Sequence, residues 1–382
     1  MVHKIKPIAI HLPQFHPTPE NDEWWGKGFT EWTNVTKATP LFKDHYQPQL
    51  PSDLGFYDLR LEEARLAQEA LAKEFGIHGF CYYHYWFNGK RILNEPVDRK
   101  LKNPKEDLPF MLCWANENWT RRWDGQDQEV LMQQNYSAQD DVAHLQHLIP
   151  YFKDQRYIKV NGKPVFVVYK PYLFPNPSET AKRWREVAAQ HGLELYLCHT
   201  VFSYTKNWDK LIDGFDAAID FEPFGIRRES VFKEINRIKR ESFNTNFSNR
   251  VIRNIKRAIG LPTQSYDNLL NKLEYDFMTK NIKSLKEFNF KMYPNLVPGW
   301  DNSSRRKNNP SLLLNNSSPE LFEKWLKLIV SDFEPYSEEE NFLFINAWNE
   351  WAEGNHLEPC QKWGRSYLEK VKKVIDEKDY LN

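Results

Sequence analysis

Two glutamates, Glu350 and Glu353, stand three residues apart just after an apolar run, Phe342-Leu343-Phe344-Ile345. Trp348 and Trp351 flank the first of them and Gly354 follows the second. Such a run is expected to be a buried strand, and carboxylates at the end of a buried strand need a ligand or a partner. Glycoside cleavage uses a pair of this kind. One carboxyl stays protonated to assist the leaving oxygen, and the other is ionised and acts as base or nucleophile. Two carboxyls sharing one apolar site push each other's pKa values apart, so both roles can coexist. Glu350 and Glu353 are therefore the expected catalytic residues, with Glu117 and Glu222 as outlying acidic candidates. On a surface helix the same Glu-x-x-Glu would be two solvated acids; the tryptophans and the glycine set this pair apart.

Aromatic residues make up 15% of the chain, with 14 tryptophans. Many sit among polar residues, as in Tyr82-Tyr83-His84-Tyr85-Trp86 and Trp114-Ala115-Asn116-Glu117-Asn118-Trp119. A flat ring beside carboxylates and amides suits a sugar, which offers C–H faces and hydroxyl edges. Any single tryptophan could be core packing; the set points to a carbohydrate site. Two rival chemistries find less support. His11, His16 and His84 could join carboxylates around a metal, but no His-x-His or HExxH spacing occurs. No GxSxG elbow supports a serine nucleophile. No metal or cofactor is expected.

These residues need a frame to bring them together. Apolar runs at Ile8–His11, Ile77–Tyr83, Leu108–Trp114, Pro164–Tyr169, Leu193–Cys198, Ala217–Phe221, Met292–Val297 and Leu343–Ala347 read as strands. Helical periodicity appears around Leu61–Phe75, Ala138–Phe152, Ser178–His191, Pro319–Val330 and Ser366–Glu377. Strands apolar on both faces, alternating with helices, are parallel and covered. Eight such units predict an α/β fold, a (β/α)8 TIM barrel, and no GxGxxG follows the first run. One catalytic domain over 1–382 is expected. It carries a long first βα loop rich in Pro, Trp and charge and a helical basic insertion between strands six and seven, about 225–288.

In a barrel the residues past the C-terminal strand ends meet at one mouth. The expected substrate-binding set is His11 and Gln14 from strand one, Tyr83, His84 and Trp86 from strand two, and Trp114, Asn116 and Glu117 from strand three. Tyr169 follows strand four, Glu222 strand six, Trp300 and Asp301 strand seven, and Asn349 and Trp351 strand eight.

The chain has 52 basic and 52 acidic residues, a balance that argues against a nucleic-acid or anionic-membrane binder. The partner expected is an oligo- or polysaccharide. No apolar stretch is long enough to span a membrane, and the start shows no signal-peptide core, so the expected location is cytoplasmic. Cys81, Cys113, Cys198 and Cys360 lack paired or zinc-type spacing, so no disulfide framework is expected. The stretch 227–259 is rich in Arg and Lys, from Arg227 and Arg228 to Arg250, Arg253, Lys256 and Arg257. It reads either as a solvated helical lid or as a patch touching an anionic glycan or the head group of a lipid-linked one.

The motif Asn349-Glu350-Trp351-Ala352-Glu353-Gly354 resembles the C-terminal signature of glycoside hydrolase family 99, Asn-Glu-Trp-His-Glu-Gly. Gly162–Tyr169 and Val297–Asp301 are similar in style to that family's strands four and seven. The opening His11-Leu12-Pro13-Gln14-Phe15-His16, with Glu23–Gly26 and Phe29–Trp32, is closer to the bacterial WbsX branch, whose members are commonly labelled polysaccharide-biosynthesis glycosyltransferases. The resemblance implies a metal-free, retaining, endo-acting barrel for α-mannoside-like glycans. Glu350 would deprotonate the sugar's own 2-hydroxyl, giving a 1,2-anhydro sugar, while Glu353 serves as acid and then base. Ala352 in place of the motif histidine, and Trp114-Ala115-Asn116-Glu117-Asn118 in place of His-Ile-Glu-Pro-Tyr, mark a different substrate. A glycosyltransferase of O-antigen or capsule synthesis and a non-catalytic carbohydrate-binding barrel are the alternatives. For the former, Asp124-Gly125-Gln126-Asp127 is a poor counterpart of a metal-binding Asp-x-Asp.

Overall fold

The structure, a computed structural model, describes residues 4–121, 126–205, 210–244, 271–306 and 312–380. Parallel pairing runs from Met292–Tyr293 through Ala217–Asp220, Tyr196–Val201, Lys163–Val168, Phe110–Trp114, Gly79–Phe87, Lys6–His11 and Phe342–Ile345 to Asn295–Leu296. The two ends of this path are halves of one strand, separated by Pro294. Proline has no N–H for the ladder. Its carbonyl still accepts from Phe344 N at 2.9 Å. The nine paired segments are thus the eight strands of a TIM-type barrel, in chain order strand one (Lys6–His11) to strand eight (Phe342–Ile345).

Helices cover the ring where periodicity placed them: Glu62–Glu74, Ala138–Lys153, Pro177–Gln190, Pro319–Asp332 and Ser366–Tyr380. Local chemistry starts several of them. Ser137, Asn176 and Ser318 each accept a backbone N–H of the first turn, and proline opens the helices after Asn176 and Ser318. Helix Glu95–Lys102, between strands two and three, was not anticipated, because charge pairs rather than an apolar stripe anchor it. Lys100 is buried against Glu69 (2.5 Å), and Arg65 grips Glu106 at 2.8 and 3.0 Å. These pairs lie at the N-terminal face of the barrel, away from the mouth. No helix joins strands five and six among the described residues.

The long first loop carries two short helices, Pro19–Trp25 and Glu31–Thr36. Trp32 anchors the second of them, with ring centroids 4.7 Å from Phe15, 5.1 Å from Tyr57 and 5.6 Å from Trp351. The insertion before strand seven begins with helix Val231–Asn244. Residues 245–270, with Arg250, Arg253, Lys256 and Arg257, lie outside the described residues, as do Asp124 and Gly125. The reading of the insertion as a basic patch needs correcting at its start. Arg227 is buried against Asp332 and Arg228 against Glu222, so neither is a surface cation. All four cysteines are free and buried. Among the described residues no helix is long and apolar enough to cross a membrane.

Replacing Lys100 by alanine leaves Glu69 buried without its ion pair, so Lys100→Ala should cost about 3–5 kcal/mol of stability. Urea denaturation measures this directly.

Candidate active site

Strand eight leads into the pair Asn349–Glu350, which is held antiparallel to Asn355–His356 across the turn Trp351–Glu353. Gly354 closes that turn at φ 57°, in the left-handed region, where a Cβ would also come within 2.7 Å of Gln49 Nε2 and 3.0 Å of Asp301 Cβ. The loop after strand seven is fastened alongside. Asp301 N donates to Glu353 O (2.6 Å), and Ser304 Oγ donates to Ala352 O (2.5 Å). The next residue on that loop is Arg305.

Arg305 organises the site. Its Nη2 meets Glu350 Oε2 at 2.9 Å, its Nη1 meets Glu353 Oε1 at 2.7 Å, and its Nε donates to Glu31 Oε1 at 2.8 Å. Burial, against the pull of Arg305 and with Glu353 and Glu31 adding to the rise, pushes the Glu350 carboxyl up to about 8. Burial also raises Glu31, against the pull of Arg305. Burial disfavours the Arg305 cation, but three carboxylates together hold it firmly charged.

Glu350, Glu353 and Arg305 face a cavity of about 390 Å³ at the barrel mouth. Of the residues expected from the sequence, Gln14, Tyr83, Glu117, Tyr169 and Trp300 line it with them. Tyr85, Trp119, Lys170, Tyr204, Phe224, Phe232, Asn302 and Asn346 also line it and were not in the expected set. Gln14 Nε2 and Trp300 Nε1 are buried and have no hydrogen-bond partner among the described residues. Buried donors are normally paired, and these two lie on a wall where a polyhydroxyl ligand could supply the acceptors. Phe224 stacks on Phe232 (5.6 Å) and meets Trp300 edge-on (5.3 Å), forming an aromatic wall. Lys170 pairs with Glu117.

The remaining expected residues do not line this cavity, and strand alternation explains those that lie on strands. Tyr83 and Tyr85 point into the mouth, so His84 and Trp86 point out at helix Ala138–Lys153. His84 Nε2 lies 2.9 Å from His144 Nε2, and Trp86 stacks on His144 and donates to Asp140. Trp114 packs outward on His144, Phe174 and Trp184. His11 turns outward to Gln68 (3.2 Å). Asn116 bridges to both backbone groups of Lys170, and Asn349 to both of Leu12, so these amides hold loops in place. Glu222 is spent on Arg228. Asp301 accepts from Gln47 (2.5 Å) and pairs with His45 (2.8 Å). Burial would raise its carboxyl, but the bonds from His45 and Ser303 hold it below its usual range. Trp351 lies face to face on His356 at 3.7 Å and donates to Glu358. Among the described residues no group of three or more His, Cys, Asp and Glu is placed to hold a metal ion.

Sequence reasoning missed Arg305 and Glu31. The doublet Arg305-Arg306 reads as solvated loop charge. Glu31 had a faint signal, as an acid between Phe29 and Trp32 in a loop too long to be a mere connection.

A TIM-type barrel with carboxylates at its C-terminal mouth defines the class. Residues 7–371 match the family described as Glycosyltransferase WbsX, and the chain belongs to that family. The protein WxcX of Xanthomonas campestris pv. campestris is 38% identical over 370 residues, covering 96% of this chain and 49% of WxcX. The chain thus spans about half the length of the curated relatives it matches. Among solved structures, a glycoside hydrolase-like protein superposes with a TM-score of 0.59 at 14% identity, over 98% of this chain and 94% of that one. The GH99 endo-alpha-mannosidase of Bacteroides thetaiotaomicron superposes with a TM-score of 0.55 at 13% identity, over 98% and 97%. At such identities the likeness is one of fold.

The raised Glu350 carboxyl carries a sign for stability. Between its ordinary value and about 8, the unfolded chain releases this proton while the folded protein keeps it. The unfolded state then binds fewer protons, so this group lowers stability as pH rises through that window. Glu350→Gln removes the effect. The Tm of Glu350→Gln relative to the unsubstituted protein should therefore climb steadily from pH 5 to pH 8 in calorimetric scans. A flat difference would show that Glu350 ionises in the ordinary range.

Proposed function

We propose that this protein is a retaining, endo-acting glycoside hydrolase for an α-mannoside-like linkage in a bacterial polysaccharide or lipid-linked glycan. The observation that carries the reading is the pair Glu350 and Glu353, joined through one guanidinium on the wall of an aromatic-lined cavity. Glu350 takes the proton of the sugar's 2-hydroxyl, whose oxygen attacks the anomeric carbon. Glu353, the more exposed of the two, protonates the departing glycosidic oxygen; it then takes a proton from the water that opens the 1,2-anhydro ring at the anomeric carbon, while Glu350 returns its proton to the 2-oxygen. The similarity in fold to an endo-alpha-mannosidase supports the substrate class. Ala352, buried between the two acids, puts no polar side chain where the family-99 motif has histidine.

The family description favours a second reading, a glycosyltransferase acting at the same mouth. A hydrolase releases new reducing ends from glycan and water alone, whereas a transferase needs a nucleotide sugar. A binding barrel would retain glycan with no turnover in either assay.

Glu350→Gln and Glu353→Gln should each lower turnover about 10²–10⁴-fold with an unchanged circular dichroism spectrum. Reducing-end release from purified O-antigen or capsular polysaccharide is the assay. Near-normal turnover in either variant removes that residue from the mechanism.

A further inference from the structure

Arg305 does not serve the two cleft carboxylates alone. Glu31, on the helix Glu31–Thr36 of the long first loop, takes the guanidinium's remaining edge. The loop holds Glu31 firmly: its N–H donates to Gln14 O (3.1 Å), and the adjacent Trp32 packs on Trp351. Glu31 does not line the cavity, and its side chain is 0% exposed. Its second oxygen, Oε2, is buried with no hydrogen-bond partner. One cation therefore faces three carboxylates in a region largely removed from water. Charge in such a place is costly unless it is balanced. The third carboxylate lines no part of the cavity, so its effect reaches the pair through Arg305.

We propose that Glu31 is a positioning residue for the Glu350–Glu353 pair, drawing part of the Arg305 charge to itself and so making Glu350 hold its proton more tightly. Its importance to catalysis rests on the reading of the pair as acid and base. Its effect on the proton does not. Glu350 is faced by Arg305, Glu353 and Glu31, and by the phenols of Tyr83 and Tyr85 from strand two. Glu31 is faced by Arg305 and Glu353, and feels Lys37 just past the end of its own helix. Of these, Glu31 alone reaches the pair through a shared hydrogen-bonding cation without touching the cavity.

The test is a carboxyl ¹³C NMR titration of protein labelled at glutamate, with the Glu350 signal assigned by its loss in Glu350→Gln. Glu31→Gln keeps an acceptor for Arg305 Nε and removes the negative charge. The Glu350 midpoint should then fall by about one pH unit, and Glu31→Asp, which restores the charge, should bring it back toward the starting value. A merely structural role would change Tm and leave the midpoint in place. An unmoved midpoint in folded Glu31→Gln overturns the proposal. Should Glu31→Gln not fold, Glu31→Ala gives the reading: it too removes the charge, so the Glu350 midpoint should fall, and a constant or higher midpoint overturns the proposal. No substrate enters this titration, so its outcome is separate from that of the glycan-cleavage assay.

Discussion

One buried guanidinium holding three carboxylates is the constraint on which the rest of the site depends. Glu31, Arg305, and Glu350 with Glu353 come from the loops after strands one, seven and eight. None of these loops is required by the barrel, yet each must reach the same point with its charge correctly aimed. That requirement accounts for features otherwise hard to explain. Gly354 is needed because the loop carrying Asp301 passes too close for a side chain. Ser304 and Asp301 bond to the backbone on either side of Glu353, and Trp32 wedges the long first loop against Trp351.

The barrel keeps structural and chemical charge apart. At its N-terminal face, Lys100–Glu69 and Arg65–Glu106 tie helices to the floor of the ring, and these carboxylates are buried. At the mouth, Arg305 with Glu350 and Glu353, and Lys170 with Glu117, line open space that aromatic rings also line. Strand six is an intermediate case. Burial raises Asp220 to about 7, with Glu222 adding to the rise, but Glu222 is committed to Arg228, so this acidic pair is closed off.

Much of this was legible in the sequence, for identifiable reasons. Buried parallel strands must be apolar on both faces, so all eight could be read as apolar runs, including strand seven, which Pro294 splits. Glu350 and Glu353 stood out because their context is local: an apolar strand before them, tryptophans around them and a glycine after. Residues on the strands were harder to place, since alternation decides whether a side chain meets ligand or helix. Tyr83 and His84 are neighbours on opposite faces, and so a histidine and two tryptophans expected at the mouth, His84, Trp86 and Trp114, pack behind it instead. Arg305 and Glu31 are 274 residues apart in the chain and meet through loops with no periodic pattern, so nothing local announced the contact. At the start of the basic insertion, charge counted along the chain ignores partners such as Asp332 and Glu222, which only the fold supplies.

In the mechanism we propose, this carboxylate pair makes a sugar's own hydroxyl displace the glycosidic oxygen, after which a second displacement restores the original configuration. The most direct measurement is ¹H NMR of the newly exposed anomeric centre during the first turnovers on glycan, before mutarotation. The first product should have the same anomeric configuration as the bond that was cut. A first product of the opposite configuration would contradict that mechanism, because a single direct displacement by water would then suffice.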